Sequence, residues 1–80
     1  MRFEVSIRRR PGLSDPEGVT TAKALRDLGY PEVGEVHFGR TITLEIDADD
    51  PVAATSRVEE MCERLLANPV IEDYIVAVAP

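Results

Sequence analysis

Tryptophan is absent from the 80 residues, and two tyrosines and two phenylalanines are the only aromatic side chains. A sheet that reads RNA by stacking its bases needs aromatics on its strands, and only Phe38 is placed to serve. Histidine and cysteine each occur once, as His37 and Cys62. No second His or Cys stands at a ligand spacing, which argues against a zinc site. A lone cysteine cannot form an internal disulfide, which suits a reducing, cytoplasmic setting. Basic residues are outnumbered, 9 Lys and Arg against 15 Asp and Glu, for a net charge of −6. That is the wrong sign for a general nucleic-acid binder. No apolar run approaches the roughly 18 residues that span a bilayer, so no membrane partner is expected. The N-terminal MRFEVSIRRR alternates like a strand and has no apolar block of the signal-peptide kind. Neither GxGxxG nor a P-loop motif occurs, so no glycine-rich phosphate turn is recognisable.

What is present describes one small domain over residues 1–80. Hydrophobic content is 44% and charged content 30%, the balance of a globular chain. So short a chain buries only about 60–65% of its unfolded surface and gains much from oligomerisation. Phe3, Val5 and Ile7 alternate with Arg2, Glu4, Ser6 and Arg8, which predicts a first strand with one buried face. After the loop PGLSDPEG, Asp15 is placed to cap a helix and Pro16 fits its first position. Val19, Ala22, Leu25 and Leu28 give that helix an apolar stripe, and Gly29 and Pro31 end it.

Val36, Phe38, Ile42, Leu44 and Ile46 share one parity and predict a single middle strand of about 12 to 14 residues. Gly39 and Arg40 interrupt it, the glycine permitting a bend or a close backbone approach. Asp50-Pro51 then starts a second helix, whose Val58, Met61, Cys62, Leu65 and Leu66 keep helical spacing. Asn68-Pro69 stops it, and residues 70–78 read as the last strand. An Asp-Pro opens each helix, and Leu28-Gly29-Tyr30-Pro31 matches Leu66-Ala67-Asn68-Pro69. The pattern is an α+β chain in the order β-α-β-α-β, two β-α-β halves sharing the middle strand. The overlong strand leaves backbone groups unpaired, which invites a second chain and a symmetric dimer.

No set of residues assembles an active site. Asp47, Asp49 and Asp50 read as a turn and a cap, and Glu59 and Glu60 as an exposed helix face. Cys62 falls on the apolar stripe and reads as a small core residue. Arg8, Arg9 and Arg10 form a short basic run, read as a solvated strand end or a partner contact. Glu72 and Asp73 interrupt an apolar strand, either as edge charges against aggregation or as a charged interface.

The run LLANPVIEDY, preceded by EEMCERL, resembles the C-terminal signature of the PurS family, the small subunit of phosphoribosylformylglycinamidine synthase. LSDPEG, AKALRDLGY and EVHFGRTITLEI match in order, so the resemblance covers nearly the whole chain. It implies a ferredoxin-like fold completed between subunits by long strands, as a homodimer or a tetramer. It also implies a bridging role between a synthetase subunit, PurL, and a glutaminase subunit, PurQ. That complex converts formylglycinamide ribonucleotide (FGAR) to formylglycinamidine ribonucleotide (FGAM) in purine biosynthesis. ATP, Mg and glutamine are then used on the other subunits, with no cofactor, metal or catalytic residue in this chain. Arg40, Asn68, Glu72, Asp73 and Tyr74 are the expected partner-contact residues, a polar and aromatic mix suited to an interface. An ACT-like regulatory dimer that binds a small molecule is the alternative. An acylphosphatase-like enzyme fits less well, because the loop PGLSDPEG is acidic where that chemistry needs a phosphate loop.

Overall fold

Phe3, Val5 and Ile7 are at most 1% exposed, and the sheet is built around them. They belong to β1 (Arg2–Arg9), which lies between β2 (Gly39–Glu45) and β3 (Glu72–Val78) in a three-stranded antiparallel sheet. The computed structural model describes residues 1–79. Two helices, α1 (Pro16–Asp27) and α2 (Pro51–Met61), complete the expected α+β chain, in the expected β-α-β-α-β order. No helix among the described residues is long and apolar enough to cross a membrane.

The two halves of the chain nevertheless differ. β2 leaves the sheet at Glu45, beside Arg2, and α2 carries the chain back across one face to start β3 beside Arg9. This is a β-α-β crossover split by β1. The first half is instead an antiparallel return, because β1 ends at Arg9 and β2 re-enters beside it, with Gly39 opposite Arg8. Everything from Arg10 to Phe38 is an excursion that starts and finishes at one end of the sheet.

The middle strand is also shorter than the alternation predicts. Its paired part is Gly39–Glu45, seven residues, and residues 33–38 lead into it unpaired. The partner strand runs out. The Arg10 N–H turns to the carbonyl of Ile71, Pro11 has none to give, and Gly12 turns the chain at φ 85°. A longer ladder would need a strand from elsewhere.

α1 begins as the sequence predicts. Asp15 accepts a hydrogen bond from Gly18 N–H at 2.9 Å, Pro16 occupies the first position, and Gly29 follows the helix at φ 105°. Its apolar stripe, however, meets no sheet. Gly18 and Ala22 are buried, whereas Val19 and Leu28 are 66% and 74% exposed. The helix rests on the 33–38 segment, where Arg26 donates to the carbonyls of Val33 and Gly34. The chain is accordingly long and thin, 50 × 27 × 14 Å, with a radius of gyration of 16.2 Å where a compact chain of this length would have about 12 Å.

α2 is capped by Asp50, which accepts from Val52 N–H, and it buries Ala54 and Val58 against β1 and β3. Its last turn widens into a π-helical turn, Cys62–Leu66, closed by Ala67 N–H donating to Cys62 C=O at 3.0 Å. The extra residue shifts the helical phase. Cys62 stays fully buried and Leu66 half-buried, but Leu65 turns outward at 83% exposure. The strict i, i+3, i+4 spacing therefore overestimates the buried face by one leucine.

Candidate functional site

Arg40, Ile7 and Tyr74 form one cross-strand row on the sheet face that α2 covers. Ile7 is central and buried, so Arg40 lies at the rim of an apolar face. Its guanidinium finds a partner on the far side of β1. Nη1 donates to Glu72 Oε2 at 2.6 Å, and Nη2 donates to Glu72 Oε1 at 3.1 Å and to the Leu66 carbonyl at 2.8 Å. One arginine thus ties β2, the end of the π turn and the start of β3. A paired fork on a carboxylate is the strongest geometry such a contact has.

Asn68 completes the arrangement. Its backbone N–H donates to Glu72 Oε1 at 2.7 Å, and its carbonyl accepts from Ile71 and Glu72. Its side-chain oxygen accepts from Val70 N–H at 3.2 Å, a local turn that leaves Pro69 without an N–H to satisfy. The Glu72 side chain is only 15% exposed. Arg40 and then the Asn68 N–H hold its carboxyl below the ordinary value, and Glu72 in turn raises the Arg40 guanidinium.

Of the five residues predicted for partner contact, the structure therefore brings Arg40, Asn68 and Glu72 into one knot. The Arg40 and Glu72 side chains face each other, and Asn68 takes part through its backbone N–H. Asp73 points to the opposite face, exposed, and pairs with Arg10 Nε at 3.4 Å, while Arg10 also donates to the Pro69 carbonyl. Tyr74 sits apart under α2, half-buried, in an open hollow lined with Glu59, Glu60 and Glu63. The Glu63 carboxylate beside its hydroxyl, together with burial, pushes the phenol up. Among the described residues, no three His, Cys, Asp or Glu side chains gather as a metal site.

Sequence reasoning missed a second polar junction. Asp15, 7% exposed, spends one carboxylate oxygen on the α1 cap and the other on Phe38 N–H at 2.7 Å. Those two bonds, Phe38 first, hold its carboxyl below the ordinary value. One buried acid therefore joins the start of α1 to the entrance of β2. The capping role is visible in Asp15-Pro16. The bond to Phe38, 23 residues away, has no local signal.

Comparison with known proteins bears on what this scaffold belongs to. The family model PurS, described as phosphoribosylformylglycinamidine (FGAM) synthase, matches residues 2–80. The phosphoribosylformylglycinamidine synthase subunit PurS of Methanothermobacter thermautotrophicus is 45% identical over 80 residues, 98% of this chain and 94% of that one. The solved structure of Bacillus subtilis PurS superposes with a TM-score of 0.87 at 37% identity, covering 99% of this chain and 98% of the other. A chain in the structure of PurLQS from Thermotoga maritima gives 0.86 at 34% identity, covering 95% and 93%.

Proposed function

The chain belongs to the PurS family of phosphoribosylformylglycinamidine synthase subunits, and from that premise we propose that it is the non-catalytic bridge of such a synthase. It joins a glutaminase subunit to a synthetase subunit, so that ammonia released on one chain is consumed on another in making FGAM from FGAR. ATP, Mg and glutamine are handled by those partners. The likeness to a chain of PurLQS supports membership of a three-component assembly.

The single observation that carries the bridging reading is the amount of surface left open. The accessible area is 5932 Å², where a compact monomer of this mass would expose about 4,800 Å². The excess, roughly 1,100 Å², exceeds the 800 Å² or so that each partner contributes to a stable interface. Much of it is apolar. Val19, Leu28, Tyr30 and Phe38 lie open on the α1 excursion, and Val52, Leu65, Val70 and Ile75 on the body. We assign one such surface to a second copy of the chain. Residues 33–38 supply an extended segment with no ladder partner, and a two-fold dimer would provide one.

Reconstitution tests the reading. Synthetase and glutaminase from the same source should need this chain for glutamine-dependent turnover, and need it less when ammonia is supplied directly. Full glutamine-dependent activity of the two partners without it would remove the bridging role.

A further inference from the structure

The sheet has a second face, turned away from α2. The β1 residues that alternate with buried Phe3, Val5 and Ile7 lie there, and the register sets Thr41, Ser6 and Ile75 in one row. On one side of that row come Thr43, Glu4 and Ala77, and on the other Gly39, Arg8 and Asp73. The face is open: Glu4 and Arg8 are exposed, and Ile75 in the middle row is 70% exposed.

An antiparallel sheet commonly leaves one face to water, but on this face the charges are sorted. Glu45 is bound by Arg2, and Asp73 by Arg10. Arg8 shares a row with Asp73, yet it is the Arg10 guanidinium that holds that carboxylate. Glu4 and Arg8 remain, and neither forms an ion pair among the described residues. They are of opposite sign and flank Ser6 on one strand, about 13 Å apart, too far to meet each other. The row between them carries no charge.

We propose that this face docks on the same face of a second copy, with the strands of the two sheets antiparallel. A two-fold axis along the Thr41–Ser6–Ile75 row sets Glu4 of each copy opposite Arg8 of the other, and Ile75 opposite Ile75. The parallel arrangement would set Glu4 on Glu4 and Arg8 on Arg8, so charge selects the antiparallel one. Packed sheets lie about 10 Å apart, a gap that a glutamate and an arginine reaching from opposite sides can close. The paired strands span about 330 Å² per copy, less than half of the roughly 800 Å² in a stable interface. The contact is therefore weak, and it adds to other joins between chains. It makes no use of residues 33–38, so it stands or falls apart from the ladder dimer and from the bridging role.

Cross-linking of the full chain tests it, since the native thiol, Cys62, is buried. Ser6→Cys places a thiol at the axis, and a bismaleimide spanning about 10 Å should join two copies, more at high concentration and less at high salt. Arg57→Cys, on the exposed face of α2, should join far less. In the Ser6→Cys background, Glu4→Arg and Arg8→Glu should each lower the yield about tenfold, because two identical contacts turn repulsive at once. The two variants mixed should cross-link with each other as the parent does, since every contact in the mixed pair is again between opposite charges. Glu4→Arg and Arg8→Glu combined in one chain should recover likewise. Ser6→Cys joining no better than Arg57→Cys, or a mixture no better than either variant alone, would overturn the docking.

Discussion

A β-carbon on Gly18 would lie 1.8 Å from the Val36 carbonyl oxygen, so at Gly18 helix α1 meets the 33–38 segment backbone to backbone. That contact, with the Asp15–Phe38 bond beside it, fixes how α1 packs on the segment. Gly39 is similarly placed, because a β-carbon there would stand 2.7 Å from the carbonyl oxygen of Ile7.

Gly18→Ala should therefore destabilise the chain despite alanine's better helix propensity. The helical gain is about 1 kcal/mol, and relieving the clash requires α1 to lift away at a cost of about 2–3 kcal/mol. Urea denaturation should show the loss, with amide shifts concentrated at Val36 and Phe38. An unchanged midpoint would mean that α1 does not rest there.

Acid should loosen both polar junctions. Asp15 and Glu72 have carboxyls held below their ordinary values of 3.8 and 4.5. The folded state prefers them ionised, so their contribution is present above those values and is lost as pH falls through the lowered ones. The urea midpoint should drop on acidification below about pH 4.5, and Glu72→Gln should flatten part of that drop. A variant profile parallel to the parent's would show that Glu72 is not responsible.

The Arg40–Glu72 clasp should appear in a double-mutant cycle. Arg40→Ala and Glu72→Ala together should cost less than the sum of each alone, with a coupling of about 1–2 kcal/mol for a paired fork that is half open to solvent. In the reconstituted synthase the same changes, and Tyr74→Ala, should weaken assembly, and excess subunit should partly restore the rate. A folded, assembled variant with a rate that no excess restores would instead place one of these residues in the chemistry.

Cys62 is fully buried, and burial first, then Glu59 and Glu63, pushes its thiol up. It should resist alkylation in the folded protein and react at the rate of unfolding. Cys62→Ala should cost about 1–2 kcal/mol without abolishing turnover of the complex. Rapid labelling under native conditions would contradict its burial.

Light scattering at micromolar concentration should give at least a dimer. Val19→Asp with Leu28→Asp should shift the population toward monomer if the α1 stripe is the surface used, and Ile42→Asp should dissociate and unfold the chain together. A monomeric parent would refute the second-copy assignment.

Strand β1 and helix α2 were legible in the sequence because their apolar positions serve a core within the same chain. The Asp-Pro helix starts were legible for a local reason: a cap acts on the two or three residues that follow it. Three features escaped. The α1 stripe leaves Val19 and Leu28 exposed, and periodicity cannot distinguish a stripe that meets its own sheet from one that does not. The paired length of β2 is set by where β1 stops, at Arg10-Pro11. The outward turn of Leu65 comes from a single inserted residue, which leaves the hydrophobic spacing of the second helix unaltered. Arg40 and Glu72 stand out in the sequence as charges in an apolar pattern, whereas Asn68, legible as a helix stop, joins them through its backbone N–H. For the two charges, the same oddity is what draws them together.

The position of β1 in the sheet has a temporal consequence. It is synthesised before the two strands that must pair on it, and its Phe3 is matched with Val78, the last residue of β3. A nascent chain could close the β1–β2 edge early, yet Phe3, Val5 and Ile7 stay uncovered until α2 and β3 have emerged. Folding on the ribosome is then a long wait followed by one late, long-range closure, and slow by topology. A chaperone that shields an alternating apolar strand would find its target in Arg2–Arg9.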